Sequence, residues 1–254
     1  MQIFHSYGLF GIFRWAHVIA AVMWMGLLWF FNFIQTPAYA EMDPAARNQA
    51  LDKLTWRALW WFRWAAAATV AFGPLLLMVG SMAKNTLGFY RKDYWLHSAA
   101  GPTLAIGILM GIVMFLNVWL VIWPNQQIVI ANARNLIAGG EANPSAAAAA
   151  RAGAMASRQN TIFSIPVLFF MVGAAHFFLL PPNFNHYLST SKTLIYFLIG
   201  LVVLVVLEVN ALGKINGRGN TGLNMIYETH KNAMYAGFGI TVVMYLLAEI
   251  ILRK

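Results

Sequence analysis

The sequence predicts an all-α, polytopic membrane helix bundle, and three features predict it. Sixty per cent of the 254 residues are hydrophobic and only 10% are charged, against about 25% charged in ordinary soluble domains. The apolar residues gather in six runs, each long enough for the roughly 20 residues of a bilayer crossing. Cysteine is absent, which excludes disulfides, thiolate metal sites, iron–sulfur clusters and covalently attached c-type haem. The net charge of +9 is assigned to the membrane flanks, where the Lys and Arg of such a chain must lie, and nucleic acid is not expected as a partner. No repeat period and no shift in composition marks a second unit, so residues 1–254 are read as a single integral membrane domain in a lipid bilayer.

The first run, 9–34, is expected as a span and not as a cleaved signal peptide. It is too long, contains Arg14 and several Trp, and lacks a small-residue cleavage site. The second, 60–83, opens with Trp56, Trp60, Trp61 and Trp64, spaced as one interfacial belt. The third, 95–123, includes Gly107 and Gly111 at the spacing of close helix packing. The fourth, fifth and sixth are 161–180, 193–212 and 233–252. Between the third and fourth lie about 37 residues, too many for a structureless loop. Residues 126–138 read as a continued helix ending at Gly139-Gly140. Asn143-Pro144 reads as an N-cap with Pro at the first helical position, and the alanine run 146–150 favours helix. Spans three and four are therefore expected to run on as a helical hairpin, projecting roughly 20–25 Å beyond the bilayer at 1.5 Å per residue.

With six spans, Arg14, Lys84, Arg91, Lys92, Lys192, Arg253 and Lys254 fall on the N-terminal face, seven cations against ten on the other. The larger count marks the cytoplasm. Both termini are then expected to face the periplasm or exterior, and the expected location is a bacterial inner (cytoplasmic) membrane with both termini periplasmic.

Span direction also sorts the six histidines. His17 lies two turns into the first span, His97 opens the third and His176 closes the fourth, so all three sit toward the N-terminal face. Ionisable groups within a membrane by default mark a functional site. Neutral imidazole is a common metal ligand and an axial ligand of haem. Small residues flank each one: Ala20 and Ala21 after His17, Gly101 after His97, Gly173 before His176. His17, His97 and His176 are thus the candidate ligands of a b-type haem or of a metal, with His17 and His97 the preferred axial pair. Arg14, one turn before His17, is the candidate partner for haem propionates or an anionic substrate. The reading without a cofactor is that small residues only let helices pack closely and that Arg14 snorkels to headgroups. Glu208 is expected in a buried hydrogen bond and Glu249 in interfacial solvent. The thirteen Met are read as packing. Asn125, Gln126 and Asn160 are expected together at the junction of spans three and four, satisfying backbone freed by Pro124. Nothing resembles a Walker loop, a dinucleotide fingerprint, H-E-x-x-H or a nucleophile elbow.

Several of these blocks occur together in one known family. Arg14-Trp15-Ala16-His17-Val18-Ile19 with Trp24-Met25-Gly26, then Trp95-Leu96-His97, Pro124-Asn125-Gln126, Gln159-Asn160 and Ile165-Pro166-Val167-Leu168-Phe169-Phe170 up to His176, resemble the membrane-bound urate hydroxylase (cytochrome c-type urate oxidase) N-terminal domain family. The resemblance implies an integral-membrane domain of an oxidoreductase that passes electrons from a small substrate to a cytochrome c. It places His17, His97 and His176 on the family's motif positions. The family typically carries a cytochrome c domain, which requires Cys, and its first connecting loop commonly contains His, whereas residues 35–59 have none. The alternative expectation is therefore a cofactor-free accessory or structural subunit of a respiratory or photosynthetic complex, with partner subunits on its apolar faces.

Overall fold

A computed structural model describes residues 4–82, 92–178 and 187–253. Lys84, Arg91, Pro181-Pro182 and His186 lie outside the described residues. The helices in chain order are α1 (Ser6–Glu41), α2 (Pro44–Gly80), α3 (Lys92–His97), α4 (Ala100–Ile137), α5 (Ala146–His176), α6 (Thr190–Ala211) and α7 (His230–Ile251). A short 3-10 turn, Gly222–Tyr227, precedes α7. Five of them, α1, α2, α4, α6 and α7, are long and apolar enough to cross a membrane. The expected fourth span, α5, is not among these five. Its reason is visible in the packing: α5 is the central helix, touching α1, α4, α6 and α7. Gln159, Asn160, Thr161 and Ser164 on it are fully buried. A helix shielded by its neighbours can carry polar groups that a lipid-facing helix cannot.

The expected hairpin forms. α4 ends at Ile137, and Gly139 takes φ +81°, a conformation in which only glycine is unstrained. Gly140 N–H donates to Asn135 O and Gly139 N–H to Leu136 O, the two bonds of a Schellman stop. Asn143 Oδ1 then accepts from Ser145 N and Ser145 Oγ in the turn that leads into α5. The helix starts at Ala146 with Ser145 as its N-cap, two residues later than the expected Asn143-Pro144 start.

The hairpin sets the register between its arms. Asn125 lies fourteen residues before Gly139, and it packs with Gln126 against Gly153, fourteen residues after. Further from the turn, Asn117 meets Asn160, and a Cβ on Gly107 would lie 3.2 Å from Phe170 Cβ. Gly107 is thus a packing glycine, while Gly111 has nothing within 4 Å. The expected cluster of Asn125, Gln126 and Asn160 is corrected by this register: Asn160 lies two turns along α5 from the residue that Asn125 and Gln126 face.

Three π-helical turns interrupt the long helices, at Phe30–Gln35 in α1, Leu51–Thr55 in α2 and Asn117–Ile122 in α4. The first and third precede Pro37 and Pro124. Proline has no N–H to donate and its ring crowds the preceding turn; widening that turn relieves both problems. Thr36 Oγ1 donates to Phe31 O and Asn125 Nδ2 to Val121 O, satisfying backbone beside each proline. No proline follows the second π turn.

Around α5 the core is built from Leu28, Ile106, Met110, Met114, Met155, Phe163, Phe170 and Met244, all with no exposure, as the packing role of Met predicts. Trp60, Trp61 and Trp64 are about half exposed. The Arg63 guanidinium covers Trp123, 3.5 Å from the ring centroid.

Candidate functional site

Two polar regions occupy opposite ends of the bundle. Toward the N-terminal end are the predicted histidines. His17 Nδ1 lies 2.8 Å from Thr69 O on α2. Pro74 lies in α2 five residues beyond Thr69; the carbonyl that its missing N–H leaves unpaired is that of Val70. The His17 ring packs against Gly73, where a Cβ would stand at an ordinary contact distance of 3.6 Å from Cε1. His97 Nδ1 lies 2.9 Å from Leu188 O, while Leu188 N–H donates back to the His97 carbonyl. The His97 ring stacks on Tyr187 with centroids 4.2 Å apart. His176 Nδ1 bonds Val172 O of its own helix, and the side chain is exposed. Arg14 is exposed, with its guanidinium over Phe10.

A carbonyl can only accept, so each of these imidazoles carries a proton on Nδ1, which in a neutral ring leaves the lone pair on Nε2. That is the state an axial or metal ligand needs, with the other nitrogen anchored by a backbone acceptor. His17 and His97 meet this requirement through bonds to another element. His176 does so only within its own turn. The three histidines are not gathered: among the described residues no group of three His, Asp or Glu could hold a metal ion. The small neighbours do not form open slots either. A Cβ on Gly101 would lie 2.1 Å from Tyr94 O, and one on Gly173 3.2 Å from the Phe177 ring. Those spaces are taken by protein.

At the other end, the helix interiors carry a polar network. Asn117 Nδ2 donates to Asn160 Oδ1 and to Glu208 Oε2, each at 3.0 Å, and Asn160 Nδ2 donates to Met114 O. The buried hydrogen bond expected of Glu208 is therefore present. Tyr227 OH lies 2.7 Å from Gln159 Oε1 and 3.0 Å from Leu207 O. Burial pushes its phenol well above the ordinary value, so it stays a donor. Arg158 donates to the carbonyls of Tyr227 and Glu228, and Arg151 pairs with Glu228, tying α5 to the 3-10 turn. Glu249, expected in solvent, accepts from Tyr245 OH and Arg253.

Beside this network lies a partly enclosed cavity of about 90 Å³. Its wall includes Asn32, Gln35, Thr36, Thr55, Gln126, Gly153, Ser157 and Arg158, with Phe31, Leu59, Phe62 and Ile122 as its apolar part. The reading of the sequence passed over Asn32, Gln35, Thr55 and Ser157. The signal was available: Asn32 and Gln35 are amides inside an apolar run, and such residues turn inward.

No curated protein and no solved structure matches the chain. The family model described as Urate oxidase N-terminal matches residues 89–212, just under half of the 254. That stretch contains His97, Asn117, Asn160, His176 and Glu208, and the match agrees with the resemblance that the motifs carry. Over residues 89–212 the chain is similar to the urate oxidase N-terminal family.

Proposed function

We propose that the chain is a redox subunit of urate hydroxylase type, embedded in a bacterial inner membrane with both termini periplasmic. In this reading α5 is the sixth crossing helix, and the chain passes electrons from a small substrate to a cytochrome c. The observation that carries the reading is the family match over residues 89–212 on a bundle of membrane-length helices. His17 and His97 would hold a b-type haem, because each has Nδ1 anchored across elements and an Nε2 with no hydrogen bond among the described residues. A haem so held would supply one-electron chemistry. The residues themselves fix the ring orientation, and a neutral imidazole brings no charge into the apolar phase. Arg14 offers an exposed guanidinium one turn from His17 for an anionic group. His176 is left out of the pair.

The test is urate-dependent reduction of added cytochrome c by membranes containing the protein. Activity lost in His97→Ala and retained in His5→Ala is the expected result. No urate-dependent reduction, with the protein present and folded, would overturn the reading.

A second reading, the cofactor-free accessory subunit, is favoured by one observation. His17 and His97 already serve as cross-links, joining α1 to α2 and α3 to the segment before α6. Orientation is tested separately. Protease should cut the exposed turn at Gly140–Asn143 in inside-out vesicles and spare it in right-side-out ones; the reverse pattern would put the termini in the cytoplasm.

A further inference from the structure

We propose that the cavity between α1, α2, α4 and α5 is a binding site for a small uncharged amide or urea. It goes beyond the redox reading and does not depend on a haem. Two of the four walls lie before residue 89, outside the stretch that matches the family.

The first argument is where the helices are distorted. All three π turns border this one cavity: Phe31, Asn32 and Gln35 come from the first, Thr55 from the second, and Ile122 from the third. Isolated π turns inside α-helices occur frequently at functional sites. Here three separate segments widen their turns against one space.

The second argument is the inventory of unspent groups. Asn32 is 4% exposed, and its Nδ2 gives both protons away, to Leu28 O and Ser157 Oγ. Its Oδ1 has no partner among the described residues. Gln35 Oε1 accepts from Thr55 Oγ1, whose oxygen also meets Tyr39 OH, and this leaves Gln35 Nε2 unspent. Gln126 makes no side-chain hydrogen bond among the described residues, and Ser157 has a hydroxyl proton with no acceptor there. The wall therefore offers two amide oxygens as acceptors, and two amide nitrogens and a hydroxyl as donors. Groups of both kinds suit a ligand with N–H next to C=O.

Charge and size narrow the class. No carboxylate lines the wall, so a cation finds no counter-charge. Arg158 is its single cation; its Nη1 donates to the carbonyls of Tyr227 and Glu228, and the Glu228 carboxylate acts on its charge, which lowers the gain for an anion. A volume of about 90 Å³ is smaller than the roughly 150 Å³ apolar cavity that takes benzene. Four or five non-hydrogen atoms fit. A ligand of that size with good contacts reaches millimolar affinity, given the ceiling of about 1.5 kcal/mol per atom.

The experiment uses three probes of equal size and shape: acetamide, acetone and acetate. Each is titrated against the purified protein in detergent, with unfolding followed by intrinsic tryptophan fluorescence. Acetamide should raise the midpoint in proportion to ln(1 + [L]/Kd), by about 3–6 °C at ten times its Kd, and acetone and acetate by far less. Ala154 also lines the cavity; Ala154→Leu fills the space without removing a hydrogen bond, and should abolish the acetamide shift while keeping a cooperative transition. Gln126→Leu, similar in volume but without the amide, should weaken it and stands in if Ala154→Leu does not fold. No shift of that logarithmic form, an acetate shift as large as that of acetamide, or an undiminished shift in a folded variant would each overturn the proposal.

Discussion

Gly101→Ala should destabilise the protein by about 3 kcal/mol or more, at or above the upper end of the range for overpacked cores. The added Cβ would stand 2.1 Å from Tyr94 O and 2.7 Å from Trp95 Cα. Both are backbone atoms, so no rotamer change relieves the contact. The junction cannot simply open, because it is tied twice: Ser98 Oγ donates to Tyr94 O and accepts from Gly101 N–H. Thr193 Oγ1 on α6 also holds the Leu96 carbonyl. The comparison is Gly111→Ala, in open space on the same helix, where the better helix propensity of Ala should leave stability unchanged or slightly raised. Thermal unfolding of the two variants side by side checks this. Equal midpoints would show that α3 does not lie against α4 as described.

Asn160→Ala is the second large effect, expected at about 2–3 kcal/mol. Asn160 has no exposure, accepts from Asn117 and donates to Met114 O. Its loss leaves an Asn117 amide proton buried without that acceptor and opens a small void in the most enclosed helix. Hydrogen bonds between membrane helices average about 0.6 kcal/mol and reach about 1.7, so the void and the stranded donor must supply much of the effect. Asn125→Ala removes a bond within a single helix and should cost under about 1 kcal/mol. Unfolding midpoints that fall in the order wild type, Asn125→Ala, Asn160→Ala support the network. An unchanged Asn160→Ala protein would refute it.

The spans and the hairpin are legible in the residues because each depends on local chemistry: long apolar runs, a Gly-Gly stop and an Asn-Pro start. The register of the hairpin was legible too. Counting equal distances either side of Gly139 pairs Asn125 with Gly153, not with Asn160. The end of the bundle at which a residue lies also follows from span direction, and it puts His17, His97 and His176 toward one end. Rotation about each helix does not follow. His176 is three residues from buried Gly173, yet it turns outward, because the inner face of α5 there is filled by Phe170, Ala174 and Phe178. The π turns escape a reading based on a regular 3.6-residue period, since each shifts every later residue around its helix. That shift helps set which later residues, Gln35 among them, face the interior.

The central claim is that this bundle is a redox subunit holding a b-type haem through His17 and His97. The most direct measurement is the reduced-minus-oxidised absorbance spectrum of the purified, haem-supplemented protein. A Soret band and an alpha band that appear on reduction, and are lost in both His17→Ala and His97→Ala but not in His176→Ala, are the predicted result. A colourless protein, or a spectrum indifferent to both substitutions, would contradict it and leave the two histidines as cross-links of an accessory subunit.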